Sequence, residues 1–285
     1  MGTILLISTL LLQEGEAMLV RRYGKKHSAG LFFNAILCLF ATLFFVITDQ
    51  DGISFSKELL LYGVISAFLY AGGFYYMYLA LQQGSFIGTK MISSFSVVVS
   101  VCYGLFFLQE DINFTSYIAI VLIFFSVFML VWKKSEQKKQ ERASARWLIY
   151  ATLSALCNGF IAVVSKSQQM YFGGSCDKEF MFFSFLGASL FLLVFALVKE
   201  RNNFKDAVKT GFLYGAGGGL LNGAKNLFVL LLYLYLPISV AVPLRTGLGY
   251  ILSFLISAFL YKEPFTKLQI SGIAVGVLAV LLFQL

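Results

Sequence analysis

Five ionisable residues stand inside long apolar runs: Glu14, Glu16, Lys90, Lys225 and Arg245. Each would cost about 2.5–3.5 kcal/mol at the centre of a membrane helix, so each needs a partner or a watery cavity. Their signs are mixed, which permits internal pairing that only fixes helix packing. The alternative is chemistry on a solute. A carboxylate held away from bulk water can carry a coupling proton or hold a cationic group, and buried ammonium or guanidinium groups can hold an anionic one.

Glu14 is the expected coupling and substrate carboxylate. Aligning Gly15 with Gly159 sets Glu14 opposite Asn158 and Arg22 opposite Lys166, so the first apolar run of each half carries a polar group at one depth. Glu16 lies about 200° further round a helix and nearer Arg21-Arg22, where its side chain can reach the interface. Lys225 sits in the run LLNGAKNLF, with Asn222 sharing its face and Asn226 one turn on from Asn222. Lys90 has Ser93 and Ser94 one turn on. Arg245 follows Pro243, and a mid-membrane proline frees a carbonyl and marks a bent helix beside a cavity. Three cations against two carboxylates suit an anionic or zwitterionic solute better than a pure cation. The expected substrate-contacting set is Glu14, Lys90, Ser94, Asn158, Asn222, Lys225, Arg245 and Tyr75, whose mid-helix hydroxyl wants a partner. Tyr233 and Tyr235 read as interfacial anchors.

Ten apolar segments must carry these residues. They are predicted over 3–20, 29–48, 58–82, 84–107, 113–132, 147–166, 178–198, 207–234, 237–261 and 266–284. The chain divides into a first five-helix repeat (1–132), a basic connector (133–146) and a second five-helix repeat (147–285). An echo supports the division: SVCYGLFFLQEDINFT at 100–115 resembles SFLISAFLYKEPFT at 253–266, each with a Glu (Glu110, Glu263) followed by Phe-Thr. An odd number of crossings per half inverts the second half. The expected fold is therefore all-α, ten transmembrane helices as two inverted repeats around a central cavity.

Composition leaves little else. A 59% apolar content, 13% charged residues and a mean hydropathy of +0.82 exclude an ordinary soluble domain. Sixteen of the 22 Lys and Arg fall on loops 1–2, 5–6, 7–8 and 9–10 with their adjoining turns. The positive-inside rule makes that side cytoplasmic and places both termini outside the cell membrane. The +8 net charge is thereby a topology signal, and nucleic acid is not an expected partner. Residues 3–12 lack a basic leader and a cleavage site, so the first helix is expected to stay. The four cysteines form no CxxC and read as small apolar residues, and His27 as a solvated loop residue. Gly215, Gly219 and Gly223 form a tandem GxxxG, and Gly272 with Gly276 another. These read first as packing within one chain and second as a dimer seam, leaving monomer and homodimer open. No Walker A run, HExxH, metal-ligand spacing or nucleophile–base arrangement occurs, so neither ATP drive, an enzyme, a metal nor a cofactor is expected.

Ten helices, a five-plus-five duplication and a Glu closing the fourth helix of each half resemble the drug/metabolite transporter superfamily, in its EamA-like ten-helix branch. The resemblance implies helices 1–4 and 6–9 around a central cavity, helices 5 and 10 outside, and alternating access for amino acids, other small metabolites and drugs, including efflux. It also links Glu14 to the first-helix Glu of the small multidrug resistance proteins. Two features depart from the family. QEGE stands where Trp-Gly is usual in the first helix, and ten-helix relatives usually keep both termini in the cytoplasm. The leading expectation is a secondary carrier for a small polar or amphiphilic metabolite or drug, with protons as a candidate coupling ion. The alternatives are a multidrug-type cation/proton exchanger using Glu14 and a lipid-carrier translocase.

Overall fold

A computed structural model describes residues 2–24, 30–49, 55–83, 89, 92–93, 95–111, 113–131, 145–261 and 267–282. These residues form ten α-helices and no strand. They are α1 (Gly2–Gly24), α2 (Gly30–Thr48), α3 (Lys57–Gln83), α4 (Ser96–Cys102), α5 (Phe114–Val131), α6 (Ala145–Phe172), α7 (Asp177–Lys199), α8 (Phe204–Tyr235), α9 (Ile238–Tyr261) and α10 (Lys267–Leu282). Six are long and apolar enough to cross a membrane, over Gly2–Val20, Gly30–Thr48, Lys57–Ala80, Ala145–Phe172, Asp177–Lys199 and Ala207–Tyr235. Shorter apolar helices cover Ser96–Phe107, Phe114–Ser126 and Ile270–Ala279. The chain is a multi-pass membrane protein.

The sixth segment runs past its expected end at 166 to Phe172, and the first past 20 to Gly24. The fourth ends in a π-helical turn over Tyr103–Phe107, followed by Gln109 with φ +49°. Lys90, Ser94, Glu263, His27 and most of the basic connector lie outside the described residues.

Each helix takes its main packing partners from the other half of the chain. α1 packs on α8 and α9, α2 on α7 and α8, α3 on α6 and α7, α4 on α6 and α9, and α5 on α9 and α10. Lipid supplies no hydrophobic drive between helices, so close van der Waals packing must hold them. Phe32, Phe45, Phe180, Phe185 and Leu192 are wholly enclosed, and Phe68 stacks on Phe191 with centroids 4.3 Å apart. Gly215, Gly219 and Gly223 form one face of α8 laid on Ile36, Leu37, Phe40 and Phe44 of α2. The tandem GxxxG is a contact within the chain. Gly272 and Gly276 serve α5 and α10 likewise, with Ser126 Oγ donating to the Gly272 carbonyl at 2.7 Å.

The start of α2 is capped from α7. Glu200, 5% exposed, accepts the Leu31 amide at 3.2 and 3.1 Å and the Phe32 amide at 3.1 Å. A carboxylate at a helix N-terminus satisfies orphan donors and meets the positive end of the helix dipole. Glu200→Ala is expected to lower stability by about 2 kcal/mol, read as a lower melting temperature in detergent. Glu200→Gln should recover part of that loss.

Candidate functional site

The faces of α1, α3 and α8 bring five polar side chains into one chain of hydrogen bonds. Glu16 Oε2 takes the Lys225 ammonium at 2.5 Å and Oε1 takes Asn222 Nδ2 at 2.7 Å. Asn222 Oδ1 accepts Asn226 Nδ2 at 2.8 Å, and Asn226 Oδ1 accepts the Tyr70 hydroxyl at 3.0 Å. Asn222, Lys225 and Asn226 share a face because they are three and four residues apart on α8. The ion pair is largely withdrawn from solvent, with Lys225 15% and Glu16 12% exposed. Water therefore screens it weakly, and each charge depends on the other.

A second cation reaches α1 from α9. Arg245 Nη1 donates to Gln13 Oε1 at 3.2 Å, while its Nε is buried with no acceptor. Gln13 stands one turn before Glu16 on the same face of α1. Gly249, one turn after Arg245, makes the space: a Cβ there would lie 2.7 Å from Gln13 Nε2. The site thus joins one carboxylate, two cations, three amides and a tyrosine hydroxyl, drawn from four helices.

The arrangement differs from the sequence reading at several residues. Glu14 is 6% exposed and about 200° round α1 from Glu16; Glu16 is the carboxylate that meets Lys225 and Asn222. Glu16 does not turn to the interface. Tyr75 packs between Phe195 (centroids 5.0 Å) and Tyr76 (5.6 Å) at the α3–α7 contact. Tyr70, earlier on α3, is the tyrosine that joins the network. Asn158 is exposed on α6, with Nδ2 donating to the Ser154 carbonyl at 2.8 Å, outside the cluster. Tyr233 is 3% exposed, too enclosed for an interfacial anchor, whereas Tyr235 is 55% exposed. Gln13 and Tyr70 were missed. A signal for Gln13 exists, since it lies at i−3 from Glu16 in an apolar run. Tyr70 is one of several tyrosines on α3, and nothing local distinguishes it.

Another polar group gathers at the end of the bundle away from the basic loops. Glu110, just after α4, accepts the Ile238 amide at 2.8 Å, the Ser239 amide at 3.0 Å and the Ser239 hydroxyl at 2.6 Å. Tyr103 and Ser167 share a hydroxyl–hydroxyl bond of 2.6 Å. Lys166 Nζ donates to the Tyr233 carbonyl at 2.7 Å, and Gln169 Nε2 donates to Asp177 at 3.0 Å. Among the described residues no group of three His, Cys, Asp or Glu is placed to hold a metal ion.

A ten-helix membrane bundle with an ion pair and a second cation enclosed among its helices is built as a membrane carrier is built. The chain belongs to the EamA-like transporter family, whose model matches residues 1–132 and 145–285. It is therefore a membrane transporter of small solutes. No curated protein matches the sequence. A solved structure titled "Crystal structure of protein" is similar with a TM-score of 0.79 at 11% identity, covering 99% of this chain and 95% of that one. At that identity the likeness is one of fold alone.

Proposed function

We propose that the protein is a secondary transporter carrying a small zwitterionic or anionic solute by alternating access. Its five-helix halves are inverted, its basic loops cytoplasmic and its termini outside. Two observations support the halves: the family match falls in two pieces, and among the described residues the contacts α1–α8 and α3–α6, α2–α8 and α3–α7, and α1–α9 and α4–α6 are exchanged when the halves are swapped. The observation that carries the substrate class is the Glu16–Lys225 pair, with Arg245 bound to Gln13 one turn along α1 from Glu16. A zwitterion can replace both ends of that pair, its ammonium on Glu16 and its carboxylate on Lys225 and Arg245. Both buried charges then stay compensated while the solute is bound. A proton on Glu16 or Glu14 would serve coupling in the same way.

The test is flux into proteoliposomes of three probe sets: free amino acids, dicarboxylates and quaternary ammonium cations. Amino acids or dicarboxylates should be carried, and Arg245→Gln should weaken their apparent affinity at least tenfold. Robust flux of the quaternary cations, unchanged in Lys225→Met, would favour the cation/proton exchanger and sink the acid-binding role. A second reading, the lipid-carrier translocase, rests on an apolar groove of about 300 Å³. The groove lies between α4 and α6, lined by Phe95, Val99, Leu148, Thr152 and Leu156.

A further inference from the structure

The start of α9 is a helix end with no cap of its own. Pro237 precedes Ile238, and the Ile238 and Ser239 amides are orphan donors of the first turn. Their acceptor comes from the other half of the chain: both carboxylate oxygens of Glu110. Five residues into the helix stands Pro243, buried and without an N–H. Its absence takes away the helix bond that the Ser239 carbonyl would otherwise accept. The Pro237 carbonyl still accepts the Val240 and Ala241 amides, but the first two amides of α9 rest on Glu110 and the Ser239 carbonyl lacks its helix donor. Arg245 follows two residues after Pro243.

The partner side is shaped for this grip. α4 ends in a π-helical turn, and Gln109 adopts φ +49°; such departures in non-glycine residues concentrate where function keeps them. Gly104 lies in that turn, and a Cβ there would collide with Glu110 Oε2 and stand 3.0 Å from Ser239 Cβ. The Glu110 amide returns to the Gly104 carbonyl at 3.1 Å. A few residues away the Tyr103–Ser167 bond ties α4 to α6, again across the halves. The Glu200 cap on α2 differs, because α2 and α7 pack along much of their length. Among the described residues α4 meets both α6 and α9, and at this end the Glu110 and Tyr103 bonds tie the contact to each of them.

We propose that Glu110, Ser239, Tyr103 and Ser167 form the gate at the end of the bundle opposite the basic loops, closed in this structure. Release of Glu110 frees the first turn of α9, and Pro243 is the hinge through which that movement reaches Arg245. The inference rests on the alternating-access reading above.

The experiment uses full-length protein with Cys38, Cys102, Cys157 and Cys176 replaced by Ser or Ala. A single cysteine at Ser167→Cys is labelled with a membrane-impermeant maleimide in right-side-out and inside-out vesicles. Labelling from one side should be slow and rise at least fivefold with Glu110→Ala, less with Ser239→Ala, while labelling from the other side stays constant. Equal rates in the folded Glu110→Ala protein would overturn the gate, as would a rise from both sides together. A second measurement bridges Tyr103→Cys and Ser167→Cys with a short bifunctional methanethiosulfonate. Bridging should stop amino-acid flux reversibly, and continued flux in bridged protein would overturn the proposal. Should the reduced protein carry none of the three probe sets, the transport reading fails by itself. The labelling rates would still decide the gate.

Discussion

Lys225→Met is expected to lower the melting temperature of the purified protein in detergent by about 6–12 °C. Glu16→Gln should do nearly the same. Either change leaves one charge enclosed without its counterion, a loss of about 3 kcal/mol for a withdrawn pair, at about 2–4 °C per kcal/mol for a chain of this order. The combined Glu16→Gln, Lys225→Met protein should recover most of the stability, because no bare charge remains and the two side chains still fill the space. Transport should move the other way. Under the zwitterion reading the combined variant is stable and inactive, having lost both poles that hold the solute. A pair that only fixed packing would leave the combined variant both stable and active. Melting curves and amino-acid flux on the same four proteins separate these outcomes. Lys225→Arg adds a check: it keeps the charge but exchanges a compact ammonium for a planar fork, so stability should exceed that of Lys225→Met while flux stays low.

The second large effect concerns Gly219. A Cβ there would overlap the Leu37 carbonyl oxygen, lie 2.6 Å from Phe40 Cβ and stand 3.0 Å from the Ala41 amide. Two of those three neighbours are backbone, which cannot turn aside as a side chain can. Gly219→Leu is expected to push α8 off α2 and cost about 3 kcal/mol or more, at the upper end of overpacking. Size-exclusion profiles should show aggregated or poorly recovered protein. Gly217→Ala is the control. Its Cβ would meet only Leu19 Cδ1, at 3.1 Å, the far end of a flexible side chain. The gain in helix propensity over glycine should leave that variant as stable as the parent. If both tolerate substitution equally, the α2–α8 seam is not the tight contact described.

The sequence made the scaffold legible because apolar length is a strong local signal. Ten segments, their midpoint and the polar face of Asn222, Lys225 and Asn226 follow from hydropathy and the helical repeat. The choice between Glu14 and Glu16 did not. Two residues apart on one helix, they differ by rotation alone, and only the position of α8 decides which one meets Lys225. Arg245 was visible beside Pro243, but its partner Gln13 is 232 positions away. Tyr75 was expected in the substrate set as a mid-helix tyrosine, and nothing in the sequence near Tyr70 tells that it is the one facing α8. Glu110 stood out through its echo at Glu263, yet its work as a cap depends on amides 128 and 129 positions further on. Lys90 and Ser94 retain their expected place in the substrate set as a proposal.

The exchange of partners between the halves bears on how the chain is made. While α1 to α5 are being inserted, the surfaces they will finally bury have almost nothing to pack on, since α6 to α10 supply them. Glu16 must wait for Lys225 and Glu110 for Ile238, so early helices sit in the bilayer with polar faces unmatched. Assembly is then a late event, triggered when α8 and α9 arrive. A ribosome stalled before them would leave loose helices instead of half a protein.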